Sequence, residues 1–269
     1  MVKFGVRKRI TAKMKIMHLS DLHVGHKECG EKLRTIISNI SLRMQPAGEH
    51  VVVVTGDLAD NANKPEQREE AARSIEELGN LGYRVLVVPG NHDYGTGTVG
   101  NVRYVRLFKE RFYNDPDITY PKLDIINNTA FIGLDSTAEE LNWHDRIFAQ
   151  GELGSEQLIR LEKIINDTAI SKMMKVVYLH HHPFDFKIGR QLKDSRHLKK
   201  IVENRIDLLL FGHYHRCKQD ALKIHHGTWG VPRCYNAGTA THKNGNYGFH
   251  WVIDLSQSDP AADYDGKFL

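Results

Sequence analysis

The chain of 269 residues lacks the features that define several classes of protein. No apolar run approaches the roughly 18 residues that a membrane-spanning helix needs. The densest runs, at 51–54, 85–88 and 208–211, have the length of strands. The three cysteines are too few and odd in number for a disulfide scaffold, which favours a reducing, cytoplasmic location. No low-complexity stretch or Pro/Gly/Ser-rich linker divides the chain, so we expect one domain.

Most of the chain also has no net positive charge. The net charge is +4, from 37 Lys and Arg against 33 Asp and Glu. Five of the bases lie in residues 1–13, where no acid accompanies them, and the rest of the chain has 32 bases against 33 acids. We assign 1–13 as a basic N-terminal extension that has no signal-peptide core. A nucleic-acid partner is possible but not favoured, because phosphate contacts dominate such binding.

Short apolar runs alternate with amphipathic segments along the remainder, which predicts an α/β fold with sheets inside and helices outside. We assign this domain to 14–257 and a polar, frayed C-terminal tail to 258–269. Helices are predicted at 33–44, 65–78, 102–112, from a Ser155 cap onward, and at 192–202. The predicted strands are 16–19, 51–55, 84–88, 123–127, 130–134, 175–179, 206–211, 221–225, 232–236 and 249–255.

Directly after five of the predicted strands come polar residues of the types that bind metal ions. The carboxyl ends of strands are where open α/β sheets bind ligands, so these residues are expected to meet at one edge. By itself, each short motif has an ordinary explanation as a turn, a cap or a surface cluster. Their occurrence in order, each at a strand end, favours a functional site. The motifs are Asp21-Leu-His23, Gly56-Asp57, Gly90-Asn-His-Asp93, His180-His-His-Pro183 and Gly212-His-Tyr-His215.

Seven side chains in these motifs are candidate ligands, which is more than one metal ion can bind. They suit two ions that share a bridging carboxylate, and Asp57 is the natural bridge because it stands alone at its strand end. Oxygen and nitrogen ligands without a thiolate suit manganese, iron or zinc. The seven are Asp21, His23, Asp57, Asn91, one of His180–His182, His213 and His215.

These motifs resemble those of the calcineurin-like metallophosphoesterases. The resemblance implies a two-sheet β-sandwich flanked by helices and a two-metal centre. It places the first ion on Asp21, His23, Asp57 and His215, and the second on Asp57, Asn91, His181 and His213. His181 keeps its spacing to Pro183, and His180 is the alternative.

The resemblance also implies a role for His92, which would be catalytic and lie beside the substrate phosphate with Asn91. The expected reaction is hydrolysis of a small phosphodiester, such as a cyclic nucleotide, by a metal-bound hydroxide. A weaker likeness to bacterial cyclic-nucleotide phosphodiesterases rests on segments 133–137 and 151–158. The alternatives are a DNA or RNA nuclease, a phosphomonoesterase, and a non-catalytic binding module on the same fold.

Overall fold

The computed structural model describes residues 14–137, 149–184, 191–215, 227–241, 248–257 and 264–266. The predicted basic extension at 1–13, the predicted strand at 221–225 and most of the predicted tail lie outside these ranges. No helix within the described ranges is both long and apolar enough to cross a membrane.

Ten strands and five α-helices make up the described fold. The strands are β1 (Lys15–Leu19), β2 (His50–Thr55), β3 (Arg84–Val88), β4 (Lys122–Ile126), β5 (Thr129–Gly133), β6 (Met174–Tyr178), β7 (Leu208–Phe211), β8 (Arg233–Asn236), β9 (His250–Asp254) and β10 (Tyr264–Gly266). The helices are α1 (Cys29–Arg43), α2 (Pro65–Asn80), α3 (Val102–Tyr113), α4 (Ser155–Asn166) and α5 (Ser195–Val202).

The strands form two sheets of five. The first has the order β10-β9-β1-β2-β3, with β1, β2 and β3 parallel and β9 antiparallel to β1. The second has the order β4-β5-β6-β7-β8, with β4 antiparallel to β5 and the other neighbours parallel. The parallel strands explain why the chain returns through helices, because a parallel pair needs a crossover connection.

Three apolar clusters hold the layers together. One lies between the sheets and contains Ile16 and Val53 of the first sheet with Phe131 and Leu210 of the second. The other two lie on the outer faces, where α1 to α3 cover the first sheet and α4 and α5 cover the second. The parallel strands are therefore apolar on both faces. This arrangement is the predicted two-sheet sandwich flanked by helices.

Two details differ from the sequence-based prediction. Ser155 is the first residue of α4, and Gly154 precedes it at the cap position without a side-chain hydrogen bond. Asp194 instead accepts the backbone N–H of Gly154 at 2.9 Å, which satisfies that group through a distant residue. Residues 264–266, inside the predicted tail, form β10 and pair with β9, so this part of the tail is ordered by sheet hydrogen bonds.

Candidate metal centre

The loops that follow β1, β2, β3, β6 and β7 meet at one edge of the two sheets. Four of the candidate ligands in these loops have a left-handed backbone, with φ of 52° at Asp21, 43° at His23, 52° at Asp57 and 67° at His213. Side-chain-bearing residues rarely adopt this conformation, and such strain is typically found at functional sites. The local turns therefore aim these side chains into a common space.

The first group of side chains comprises Asp21, His23, Asp57 and His215, which offer ligand atoms that all lie within 4.8 Å of one another. Nε2 of His215 lies 2.8 Å from Oδ1 of Asp21 and 3.1 Å from Nε2 of His23. The other Asp21 oxygen, Oδ2, accepts the backbone N–H of His213 at 3.0 Å. Two carboxylates and two imidazoles thus converge from three separate stretches of the chain.

The second group is formed by Asn91, His180 and His213 beside the same Asp57. Nε2 of His180 lies 3.0 Å from Oδ1 of Asn91 and 3.1 Å from Nδ1 of His213. Nδ1 of His213 lies 3.1 Å from the same Asn91 oxygen. The sequence predicted that Asn91, His213 and one histidine of 180–182 would meet, and the structure brings them together.

Asp57 lies between the two groups. Its Oδ2 is 3.6 Å from Nε2 of His23 and 3.6 Å from Nε2 of His180. Its Oδ1 accepts the backbone N–H of His92 at 2.8 Å, which fixes the carboxylate plane. Gly90 allows this close approach, because a Cβ at that position would meet Asp57 Oδ1 at 2.3 Å.

Two of the histidines are oriented by partners of their Nδ1 atoms, so that Nε2 points into the centre. Nδ1 of His180 donates to the carbonyl oxygen of Thr55 at 2.7 Å, which leaves Nε2 without a proton in the neutral ring. Nδ1 of His23 lies 3.3 Å from a carboxylate oxygen of Asp60. Histidines that bind metals are commonly oriented by such outer partners.

The electrostatics of the centre favour ionised carboxylates at Asp21 and Asp57 and a neutral imidazole at His213. Burial opposes ionisation of Asp57, but the neighbouring His180, His92 and His23 outweigh it and lower its pKa to about 2. Burial also opposes ionisation of Asp21, and His215 with its neighbours brings the pKa of that carboxyl well below its usual value. Burial and the nearby His180 lower the pKa of His213 to about 3. These are the protonation states in which such side chains bind metals.

His181, which the sequence favoured over His180, contacts the second group through its ring and not through Nδ1. Its Nδ1 is 2.9 Å from the hydroxyl of Ser136, and its own backbone N–H donates to that hydroxyl at 3.2 Å. Its ring instead packs against His213, with 4.5 Å between centroids. The turn after β6 thus brings His180, the alternative in the sequence-based assignment, against Asn91 and His213. His182 packs on Phe211, at 4.6 Å between centroids.

His92 lies next to the centre, with its ring edge-on to His23 at 4.7 Å between centroids. Its Nδ1 donates to the carbonyl oxygen of Asp60 at 2.6 Å, which fixes the orientation of the ring. The side chain is 16% exposed. The structure thus places His92 beside the candidate ligands.

Asp60 and Asp93 are the supporting residues that sequence reasoning missed or left open. Asp60 contacts His23 through its carboxylate and His92 through its carbonyl. In the sequence, the signal that could have pointed to Asp60 is its position three residues after Asp57. The buried Asp93 carboxylate accepts the backbone N–H groups of Leu58, Ala59 and Gly90. Burial and the adjacent Asp57 raise its pKa to about 7.

The donor set fits metal ions. Ring nitrogens of His23 and the partly buried His215 approach each other to 3.1 Å, and so do those of His180 and His213. A cation between the two nitrogens of each pair would accept both lone pairs, which explains this convergence better than two separate hydrogen bonds between histidines. Carboxylate, amide and imidazole ligands without a thiolate suit manganese, iron and zinc.

Comparisons with known proteins agree with this geometry. A family model described as calcineurin-like phosphoesterase matches residues 14–217. A probable cyclic nucleotide phosphodiesterase of Coxiella burnetii is 23% identical over 219 residues, which cover 75% of this chain and 76% of that protein. The solved structure of calcineurin-like phosphoesterase YfkN from Bacillus subtilis is similar in fold, with a TM-score of 0.51 and 13% identity over 96% of this chain and 90% of that one. The family match spans most of the described domain and all the loops of the centre, and the chain therefore belongs to the calcineurin-like phosphoesterase family.

Proposed function

We propose that this protein hydrolyses small phosphodiesters, with cyclic nucleotides as the first class to test, by means of two bound cations. The observation that carries the proposal is the position of Asp57. Its Oδ2 lies 3.6 Å from a histidine nitrogen of each ligand group, so one carboxylate serves both. Paired cations with a shared ligand are a known means of clamping a phosphoryl group during displacement.

The proposed ligands follow the two groups of side chains. Asp21, His23, Asp57 and His215 would hold the first cation. Asp57, Asn91, His180 and His213 would hold the second. Manganese, iron or zinc bound there would activate water as the nucleophile and offset the charge that develops on the phosphoryl oxygens.

In this proposal His92 is the catalytic residue of the chain, acting beside the substrate phosphate. Because Nδ1 donates to Asp60, proton transfer to the leaving oxygen must come from Nε2 of the protonated ring. The same N–H would stabilise negative charge on a phosphoryl oxygen. Asn91, the preceding residue, would lie against the same substrate while it holds the second cation.

Two observations favour a small diester over other phosphate esters. The Coxiella burnetii relative is described as a probable cyclic nucleotide phosphodiesterase. Outside residues 1–13, the chain has 32 bases against 33 acids, which disfavours the long basic groove that a nuclease needs.

The test is a substrate panel on the full chain, stripped with a chelator and reloaded with Mn²⁺, Fe²⁺ or Zn²⁺. The panel contains 3′,5′-cyclic AMP, bis(p-nitrophenyl) phosphate, p-nitrophenyl phosphate and single-stranded DNA. We expect the two small diesters to have the highest kcat/KM and chelation to abolish turnover. Faster hydrolysis of the monoester or of DNA would overturn the substrate class. Two bound cations without turnover of any ester would overturn the enzymatic proposal itself.

A further inference from the structure

The loop that follows His92 folds back over the second ligand group. Gly95 and Gly100 form an antiparallel bridge, and the backbone N–H of Thr96 donates to the carbonyl oxygen of Val99 at 2.9 Å. The result is a short hairpin over residues 95–100, with Gly97 near its tip. The carbonyl oxygen of Gly95 accepts the backbone N–H of Ala62 at 2.8 Å, which anchors the hairpin to the loop after β2.

The tip of this hairpin contacts two neighbouring functional side chains. The carbonyl oxygen of Gly97 accepts the side-chain N–H of Asn91 at 2.6 Å. A Cβ on Gly97 would lie 2.2 Å from Nε2 of His92 and 2.5 Å from its Cε1, so the bare backbone packs against that ring. The φ of Gly97, +93°, is a second reason why only glycine fits.

The hydrogen bond to Asn91 has a consequence for cation binding. A carboxamide carries its oxygen and its nitrogen on opposite sides, so anchoring the nitrogen directs the oxygen the other way. Oδ1 of Asn91 accordingly lies 3.0 Å from Nε2 of His180 and 3.1 Å from Nδ1 of His213. If the amide turned over, it would present an NH₂ group, which is no metal ligand, to the second cation.

We propose that Gly97 is a positioning residue that selects the metal-binding orientation of Asn91 and at the same time packs against the Nε2 edge of His92. The inference rests on the proposed function, because it assumes that Asn91 holds the second cation. On this view, residues 95–100 are part of the metal centre although they supply no ligand. A side chain at 97 would disturb two adjacent functional residues at once.

The experiment compares Gly97→Ala with Gly82→Ala in the full chain. Gly82 has the same φ, +93°, but a Cβ there would meet only the Ala47 Cβ at 3.4 Å. The backbone strain is therefore matched and the contacts differ. Calorimetric titration of the metal-free proteins with Mn²⁺ should give two ions per chain for the wild type. We expect Gly97→Ala to weaken one ion by about tenfold or more and to leave the other within about twofold.

Asn91→Asp separates orientation from general damage. A carboxylate presents an oxygen to the cation whichever way it turns, so Gly97→Ala should have little further effect on Mn²⁺ affinity in the Asn91→Asp background. Thr96→Ala provides a milder variant, because exposed Thr96 accepts the backbone N–H of Val99 at 3.3 Å and its loss loosens the tip. We expect Thr96→Ala to lower the Mn²⁺ affinity of the same site to a smaller extent. If Gly97→Ala does not fold, this variant provides the test.

Several outcomes would overturn the inference. One is equal Mn²⁺ affinities for Gly97→Ala and Gly82→Ala, and another is an undiminished effect of Gly97→Ala in the Asn91→Asp background. If Gly97→Ala is unfolded, unchanged affinity in Thr96→Ala has the same meaning. A wild-type chain that binds fewer than two ions would instead overturn the proposed function, and this result is distinct from the others.

Discussion

Oδ2 of Asp57 and Nε2 of His180 lie 3.6 Å apart, although the two residues follow strands of different sheets. Asp57 follows β2, an inner strand of the first sheet, and His180 follows β6, the central strand of the second. A second contact joins the same two stretches of chain, since Nδ1 of His180 donates to the backbone carbonyl oxygen of Thr55. The candidate metal centre is thus assembled across the seam of the sandwich and depends on the packing of both sheets.

Asp57→Asn should weaken both cations, because an amide has a single oxygen and no charge with which to bridge them. We expect affinity for each ion to fall by at least about tenfold, measured as Mn²⁺ per chain and by calorimetric titration. Asp60→Asn is a useful comparison, since the Asp60 carboxylate lies 3.3 Å from Nδ1 of His23, a ligand of the proposed first site. It should weaken the first ion alone. Native affinity at both positions in Asp57→Asn would show that this residue is not the bridge.

Substitution of His180 and His181 distinguishes the two candidate ligands. His180→Gln should lose the second cation, because the inward lone pair of Nε2 disappears. His181→Gln should retain two cations, since His181 contacts Ser136 and the ring of His213 and no other candidate ligand ring except its neighbour His180. Metal content of the two purified variants is the measurement. The opposite pattern would restore the assignment that spacing to Pro183 suggested.

His92→Ala should leave both cations in place and slow the reaction. The side chain of His92 supplies no ligand in the proposed sites, and its backbone N–H, which holds Asp57, survives the substitution. Loss of a proton donor or charge stabiliser lowers turnover by roughly 10²-fold or more. The comparison is kcat for a small diester at full metal occupancy. Undiminished kcat at that occupancy would remove His92 from the mechanism.

The strand ends were the part of the site that the sequence predicted well. Strands such as β2 and β3 are short apolar runs cut by Gly56 and by Pro89-Gly90, and the polar motif begins directly after each. Chain connectivity then places every such motif at the same edge. The fold was predictable for the same reason, because apolar runs alternate with amphipathic helices from β1 to β7, apart from the directly joined pair β4 and β5.

The orientation of side chains within the loops was beyond the sequence pattern. Three consecutive histidines follow Leu179, and the direction of each depends on a turn held by distant groups such as the carbonyl oxygen of Thr55 and the hydroxyl of Ser136. The contact of Gly97 with His92 likewise depends on how the 95–100 hairpin folds back. Such tertiary contacts leave no periodic signal, whereas the strands that carry the loops do.

A buried histidine below the centre should make stability depend on pH. His18 on β1 is fully buried, and its Nε2 lies 2.9 Å from the hydroxyl of Thr55. Burial lowers its pKa from 6.5 to about 3 in the folded chain, against a smaller opposing effect of Asp21. Below pH 6.5 the unfolded chain therefore binds a proton that the folded chain does not. The free energy of unfolding is therefore unaffected by His18 above pH 6.5 and decreases as the pH falls from 6.5 toward 3.

His18→Gln removes this titration, so the free energy of unfolding of the variant should fall less steeply with pH. The difference in slope approaches about 1.4 kcal/mol per pH unit well below pH 6.5, which is the value for one proton. Urea unfolding of the metal-free proteins at pH 7.5, 6.5, 5.5 and 4.5 measures this difference in slope. His197→Gln, at an exposed position of α5, is the control and should keep the wild-type slope. Parallel curves for wild type and His18→Gln would mean that folding does not hold His18 neutral.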